Sequence, residues 1–165
     1  MRCYLKVWIL FFLFSFSIAY RPVLLNAQSL PLCLTIRNLS DDRSLYNKPV
    51  RPGDTFVYGY THSLQKLPIQ EKFFISRDLN IVLIESKVKS LAASGPFPAP
   101  NEDIYLTKEY AFIKTKRRFK RVALRVAYYY KQQIIFPGEV IELNQIATPG
   151  DAIEIKIKRI YPESN

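Results

Sequence analysis

With 165 residues, and 24 lysines and arginines against 14 aspartates and glutamates, the chain has room for one domain plus an N-terminal extra and a formal charge of +10. That balance favours anionic partners such as phospholipid headgroups, wall polymers or acidic small molecules, with plain solubility as the ordinary alternative. Of its two cysteines, Cys3 falls in the opening segment and Cys33 stands alone after it, which excludes an internal disulfide in a processed form.

The opening "MRCYLKVWILFFLFSFSIAY" sets Arg2 and Lys6 before an unbroken apolar run, Val7 to Phe14, and ends on Ser17-Ile18-Ala19. A positive start, a short apolar stretch and small residues at −3 and −1 describe a secretory signal, with cleavage after Ala19. Apolar character continues to Leu25, broken by Ser15, Ser17, Arg21 and Pro22, so an uncleaved anchor over residues 7–25 is the alternative. Both readings keep Arg2 and Lys6 inside and predict an extracytoplasmic domain, secreted, on the periplasmic side, or tethered to the cytoplasmic membrane. The predicted organisation is a signal peptide or signal anchor over 1–19, a linker over 20–31, a single domain over 32–160 and a tail over 161–165. Loss of Arg2 and Lys6 lowers the charge from +10 to +8. The Leu30-Pro31-Leu32 before Cys33 lacks the small residue of a lipoprotein signal, and Cys33 reads as a strand residue.

Beyond residue 30 the chain breaks into short β-rich runs, in order 32–38, 55–61, 69–76, 80–90, 110–115, 121–130, 132–136, 139–143 and 152–160. Arg51-Pro52-Gly53-Asp54, Phe136-Pro137-Gly138-Glu139 and Thr148-Pro149-Gly150-Asp151 place Pro then Gly at the centre of type II turns. Leu91 to Asp103, with Pro96, Pro98 and Pro100, is predicted to be an extended loop. The expectation is an all-β domain, an antiparallel β-sandwich or barrel.

The stretch "YGYTHSLQKLPIQEKF" (58–73) holds the single histidine of the chain. Strand alternation gives Phe56, Tyr58, Tyr60 and His62 one face, and Ile69, Glu71, Phe73 and Ile75 another. A loop at Ser63–Pro68 sets Tyr58 opposite Phe73, Tyr60 opposite Glu71, and His62 opposite Ile69. A second turn at Arg77–Asn80 sets Glu71 opposite Ser86 and Lys72 opposite Glu85, making Lys72 and Glu85 an exposed ion pair on the other face. Phe74 and Leu83 are read as apolar residues of that outer face. Glu71, among core-like neighbours, needs partners, and Tyr60, His62, Ser63 and Ser86 are the nearest donors. The cluster is either a hydrogen-bonded lock for the register or the polar end of a binding pocket. A serine hydrolase is disfavoured because adjacent His62 and Ser63 point apart and no nucleophile-elbow glycines surround the serine. A metal site of His62, Glu71 and Glu85 would draw on opposite faces. No catalytic residue, metal or cofactor is expected, and the chain is read as a non-enzyme.

These residues carry a resemblance. "RPGDTFVYGYTHSLQKLPIQEKFFI" followed by "IVLIESKVKS" resembles Domain of Unknown Function 1850, through Tyr60, His62, Ser63, Glu71 and Glu85, and more loosely through Arg125 in "LRVA". The resemblance implies a small exported or membrane-anchored bacterial protein. It also implies a partner: the membrane subunit, or a solute-binding protein, of a TAXI-type tripartite ATP-independent periplasmic (TRAP) transporter. With the basic charge balance, a pocket around His62 and Glu71 is then expected to hold an anionic small solute. Where such proteins carry a Gly-Ala-Gly-like turn before a proline, this chain has Leu91-Ala92-Ala93-Ser94-Gly95-Pro96.

Last, "KTKRRFKR" gathers Lys114, Lys116, Arg117, Arg118, Lys120 and Arg121. It is read as a solvated turn joining two strands, or as a patch for an anionic membrane surface or wall polymer. Nucleic acid is not expected, since the domain is exported and no nucleic-acid motif is present. Three functions therefore stand in falling order: a transport accessory that binds a solute, a basic surface-interaction protein, and a hydrolase or metalloenzyme using His62 and Glu71.

Overall fold

The computed structural model describes residues 31–89 and 102–160. The predicted signal or anchor, the linker up to residue 30, the proline-rich stretch up to residue 101 and the tail lie outside the described residues. No helix among the described residues is long and apolar enough to cross a membrane.

The fold is an antiparallel β-sandwich, as expected. Its strands are β1 (Leu32–Asn38), β2 (Ser44–Val50), β3 (Thr55–Thr61), β4 (Pro68–Ile75), β5 (Ile81–Val88), β6 (Asp103–Leu106), β7 (Ala111–Phe119), β8 (Arg121–Arg125), β9 (Gln132–Phe136), β10 (Glu139–Glu142) and β11 (Ala152–Arg159), with one short helix, α1 (Leu143–Ile146). One sheet has the order β2-β1-β11-β8, the other β10-β9-β3-β4-β5-β7-β6. Strict alternation in β11 turns Ile153, Ile155 and Ile157 inward, and pairing with β1 lays Ile155 beside Ile36 and Ile157 beside Leu34. Against them pack Phe56, Tyr58, Phe73, Ile75, Ile81 and Ile134 from the wider sheet, which forms the main core. That sheet also carries a smaller apolar cluster of Ile69, Val88, Ala111 and Ile113, and Tyr60 packs against both.

All three Pro-Gly turns form, with Gly53 at φ +96°, Gly138 at +80° and Gly150 at +95°. The expected strands missed β2, β6 and α1. β2 contains Pro49, which an edge strand accepts because the missing N–H faces outward. Tyr46 donates to Glu139 Oε1 at 2.6 Å and Lys48 Nζ lies 2.5 Å from Oε2, tying that edge to β10.

Several pairings differ from expectation. The β3–β4 hairpin sets Tyr58 opposite Glu71 and Tyr60 opposite Ile69, two residues from the predicted register. The turn closes from His62 N–H to Leu67 C=O at 2.9 Å, with Lys66 in the left-handed region at φ +57°, so His62 falls beyond the ladder. A shift of two leaves every side chain on its predicted face. Between β4 and β5, Glu71 opposes Ser86 and Lys72 opposes Glu85 as expected, but Glu85 forms its ion pair with Lys114 of β7, not with Lys72. The run 114–121 is not a joining turn. Lys114 to Phe119 belong to β7 and Arg121 begins β8, so only Lys120 spans the crossing from one sheet to the other.

Leu83 also changes face, for a geometric reason. From Lys72 to Phe73 is one step along β4, from Leu83 to Glu85 two along β5, and from Lys114 to Arg117 three along β7. Successive strands thus gain a residue across this line, through bulges that bend the sheet. The extra residue in β5 turns both Leu83 and Ser86 inward, and on β7 it leaves Thr115 inward with no β5 partner.

Candidate functional site

At the bend the inner face of the wider sheet encloses a cavity of ≈ 210 Å³, lined on its polar side by Tyr60, His62, Glu71, Ser86, Glu102, Thr115 and Arg117. Ile69, Leu83 and Ile113 form the apolar side. Each element places its residue by alternation, so the cavity is built on strands rather than on a loop. His62 and Glu102 are the exceptions, one entering from the turn after β3 and the other from just before β6.

Glu102 is the best-fixed acid. Its side chain is 6 % exposed, and Arg117 grips it with both prongs, Nε to Oε1 at 2.9 Å and Nη2 to Oε2 at 3.0 Å. Thr115 adds a hydrogen bond to Oε1 at 2.6 Å. Two parallel charge-assisted bonds of this kind orient as well as attract. Tyr58 and Tyr60 stack with centroids 4.8 Å apart, and Gln132 donates to the Tyr58 hydroxyl at 2.8 Å. This stack holds Tyr60 against the cavity. His62 accepts the Gln65 N–H on Nδ1 at 3.3 Å, so the neutral ring carries its proton on Nε2 and keeps that nitrogen as a donor.

Glu71 is different. Burial raises its pKa above the ordinary 4.5, against the opposing pull of the Arg117 charge and a hydrogen bond from Tyr60. Burial likewise raises the Tyr58 phenol to about 12 and the Tyr60 phenol further still, with the Glu71 charge adding to both. For Glu71 the sign follows directly: the folded chain prefers the neutral acid, so its contribution to stability is greatest at low pH and is lost as pH rises from about 4.5 through the raised value. Glu71→Gln, which keeps the shape and removes the charge, is expected to be more stable than the parent at neutral pH. The advantage should vanish in acid. Urea titrations at several pH values measure the difference, and a parent that gains stability from acid to neutral pH relative to Glu71→Gln contradicts it.

The structure brings Tyr60, His62 and Glu71 together and leaves the other expected site residues elsewhere. Ser63 is exposed in the turn and does not reach the cavity. Glu85 faces away, paired with Lys114. Arg125 lies on β8 in the smaller sheet and donates to the Gly150 carbonyl at 2.7 Å. Arg117, expected in a surface patch, is instead the cation of the cavity. Glu102 and Thr115 are absent from the sequence reading of the site; the alternation of Thr115 with Arg117 in a strand is a signal for Thr115, and no local pattern marks Glu102. The remaining basic residues are largely matched: Arg118 pairs with Asp78 at 2.8 Å and Arg121 with Glu154 at 3.4 Å, which leaves Lys116 and Lys120 without an ion pair among the described residues. No group of three or more potential metal ligands occurs among the described residues.

No curated protein and no solved structure matches the chain. A family model described as "Domain of unknown function (DUF1850)" matches residues 56–143, from the second residue of β3 to the first of α1, which takes in every cavity residue. With just over half of its length inside that match, which takes in the cavity where Tyr60, His62 and Glu71 meet, the chain belongs to the DUF1850 family.

Proposed function

We propose that this domain is a binding module for a small polar solute, working outside the cytoplasm as an accessory to a TRAP-type transport system. The observation that carries the reading is the cavity itself: Tyr60, His62, Glu71 and Arg117 converge on an apolar floor of Ile69, Leu83 and Ile113. Binding sites characteristically combine an apolar wall with a few convergent polar groups, one of them with a perturbed pKa. Export is supported by the Arg2 and Lys6 start, the apolar run from Val7 and the Ser17-Ile18-Ala19 ending. The transport link rests on the resemblance described above, and its natural partner is the transporter's membrane subunit or solute-binding protein.

The reading is tested by thermal-shift screening of the full-length protein against carboxylates, amino acids, amines and divalent metals. A ligand at a hundred times its dissociation constant stabilises by about 2.7 kcal/mol, well within reach of such a screen. The expected result is a hit whose effect shrinks in His62→Ala and Glu71→Gln while both variants stay folded. If no compound shifts the transition, or if both variants simply unfold, the cluster serves the fold alone.

A further inference from the structure

The cavity's charges point to the class of solute. Among its lining residues the one guanidinium, Arg117, is committed through Nε and Nη2 to both oxygens of Glu102. An incoming anion would meet a cation already matched, with a second carboxylate, Glu71, beside it. Counting the imidazole as neutral and Glu71 as ionised, the lining holds one negative charge in excess, although the whole chain is basic. Tyr60 adds an aromatic wall held by its stack on Tyr58, and ammonium groups are attracted to such rings. Accepting the solute-binding reading of the cavity, we infer that its ligand is a small organic cation, an ammonium group set against Glu71 and Tyr60 with a short apolar portion on Ile69, Leu83 and Ile113.

The surroundings of Glu71 are consistent with this assignment. It faces Tyr58 and Tyr60 from β3, His62 from the following turn, Ser86 from β5, Arg117 from β7 and Glu102 from before β6. Burial disfavours its ionised form when the cavity is empty. An ammonium ion replaces the missing counter-charge, so binding drives Glu71 to ionise and releases a proton wherever the empty site is protonated.

Three matched four-carbon compounds separate the possibilities: n-butylammonium, n-butanol and butyrate, each added to the full-length protein at constant ionic strength. The expected result is that butylammonium raises the melting temperature more than butanol does and that butyrate has no effect. The butylammonium response should grow as the pH rises above the ordinary carboxylate range and Glu71 ionises, and the part of that growth due to Glu71 should be missing in Glu71→Gln. Glu71→Gln should weaken butylammonium binding by about tenfold or more, the scale of one charge-assisted hydrogen bond, and change the butanol response far less. Stabilisation by butyrate but not butylammonium overturns the cation assignment and leaves the cavity a solute site. So does a butylammonium response that ignores both pH and Glu71→Gln. If none of the three compounds shifts the transition, the cation assignment fails; the binding function fails with it only if the wider screen of carboxylates, amino acids, amines and divalent metals is empty as well.

Discussion

Replacing Arg117 by leucine is expected to cost about 2–3 kcal/mol, somewhat under the range for a fully buried pair because the guanidinium is 40 % exposed while Glu102 is only 6 % exposed. Glu102 would keep Thr115 but lose both prongs of its counter-ion, and Glu71 would lose the positive charge that offsets its burial. For a domain of this size the drop corresponds to roughly 6–12 °C in melting temperature. Arg117→Lys should recover only part of it, since an ammonium group cannot reproduce the planar fork. The double change Arg117→Leu with Glu102→Leu should be milder than Arg117→Leu alone, because Glu102 is then no longer left stranded, although Glu71 still lacks the Arg117 charge. Urea denaturation of the three variants decides the matter, and a loss of under about 0.5 kcal/mol in Arg117→Leu would show the pair to be an ordinary surface contact.

A larger loss is expected from Phe56→Ala. Phe56 is 1 % exposed and sits where the two sheets meet, stacked on Phe73 with centroids 5.1 Å apart and tilted against Phe136 at 5.7 Å. Truncation removes the ring's burial and leaves a void that rigid strands on either side cannot close, for a cost of about 3–5 kcal/mol. Because Phe56 and Tyr60 lie on the same face of β3 and Tyr60 packs against the main core, the change should also loosen the Tyr60 wall of the cavity. Denaturant midpoints give the stability. A loss below about 1 kcal/mol would mean that the sheets collapse onto the gap and that the core is less rigid than its packing implies.

Much of this architecture is legible in the sequence because it rests on local chemistry. Pro-Gly pairs set the three type II turns, and period-two apolar patterns set most of the strands. The pairing of Glu71 with Ser86 agrees with expectation only because two departures cancel: the turn sets Ile75 opposite Ile81 and Phe73 opposite Leu83, one residue off the expected register, and the extra residue in β5 restores it at Lys72 and Glu71. The hairpin before it was not legible. Its turn depends on Lys66 adopting a left-handed conformation, which a lysine rarely does and no glycine advertises. Only the parity of the side chains survived, which is why the Tyr60–Glu71 cluster was found with the wrong opposing residues. The basic run failed for another reason. Six charges in eight residues suggest a solvated loop, yet in an alternating strand half of them can turn inward if acids wait there. The acid that waits for Arg117 lies fifteen residues earlier in the chain, in a segment whose prolines disguise the start of β6.

The widening step count across β4, β5 and β7 also bears on whether the cavity can be moved elsewhere. On a regular sheet, with neighbouring strands about 4.8 Å apart and every residue opposed, Tyr60, Glu71, Thr115 and Arg117 would form a flat grid of side chains. Thr115 would then stand beside a β5 partner instead of reaching Glu102, and Leu83 and Ser86 would point to opposite sides. Grafting these residues onto another β-scaffold would therefore transplant the chemistry without the hollow that contains it. The portable unit is the bent segment of β4, β5 and β7, extra residues included, together with β3, the turn after it and the residue before β6, which carry Tyr60, His62 and Glu102.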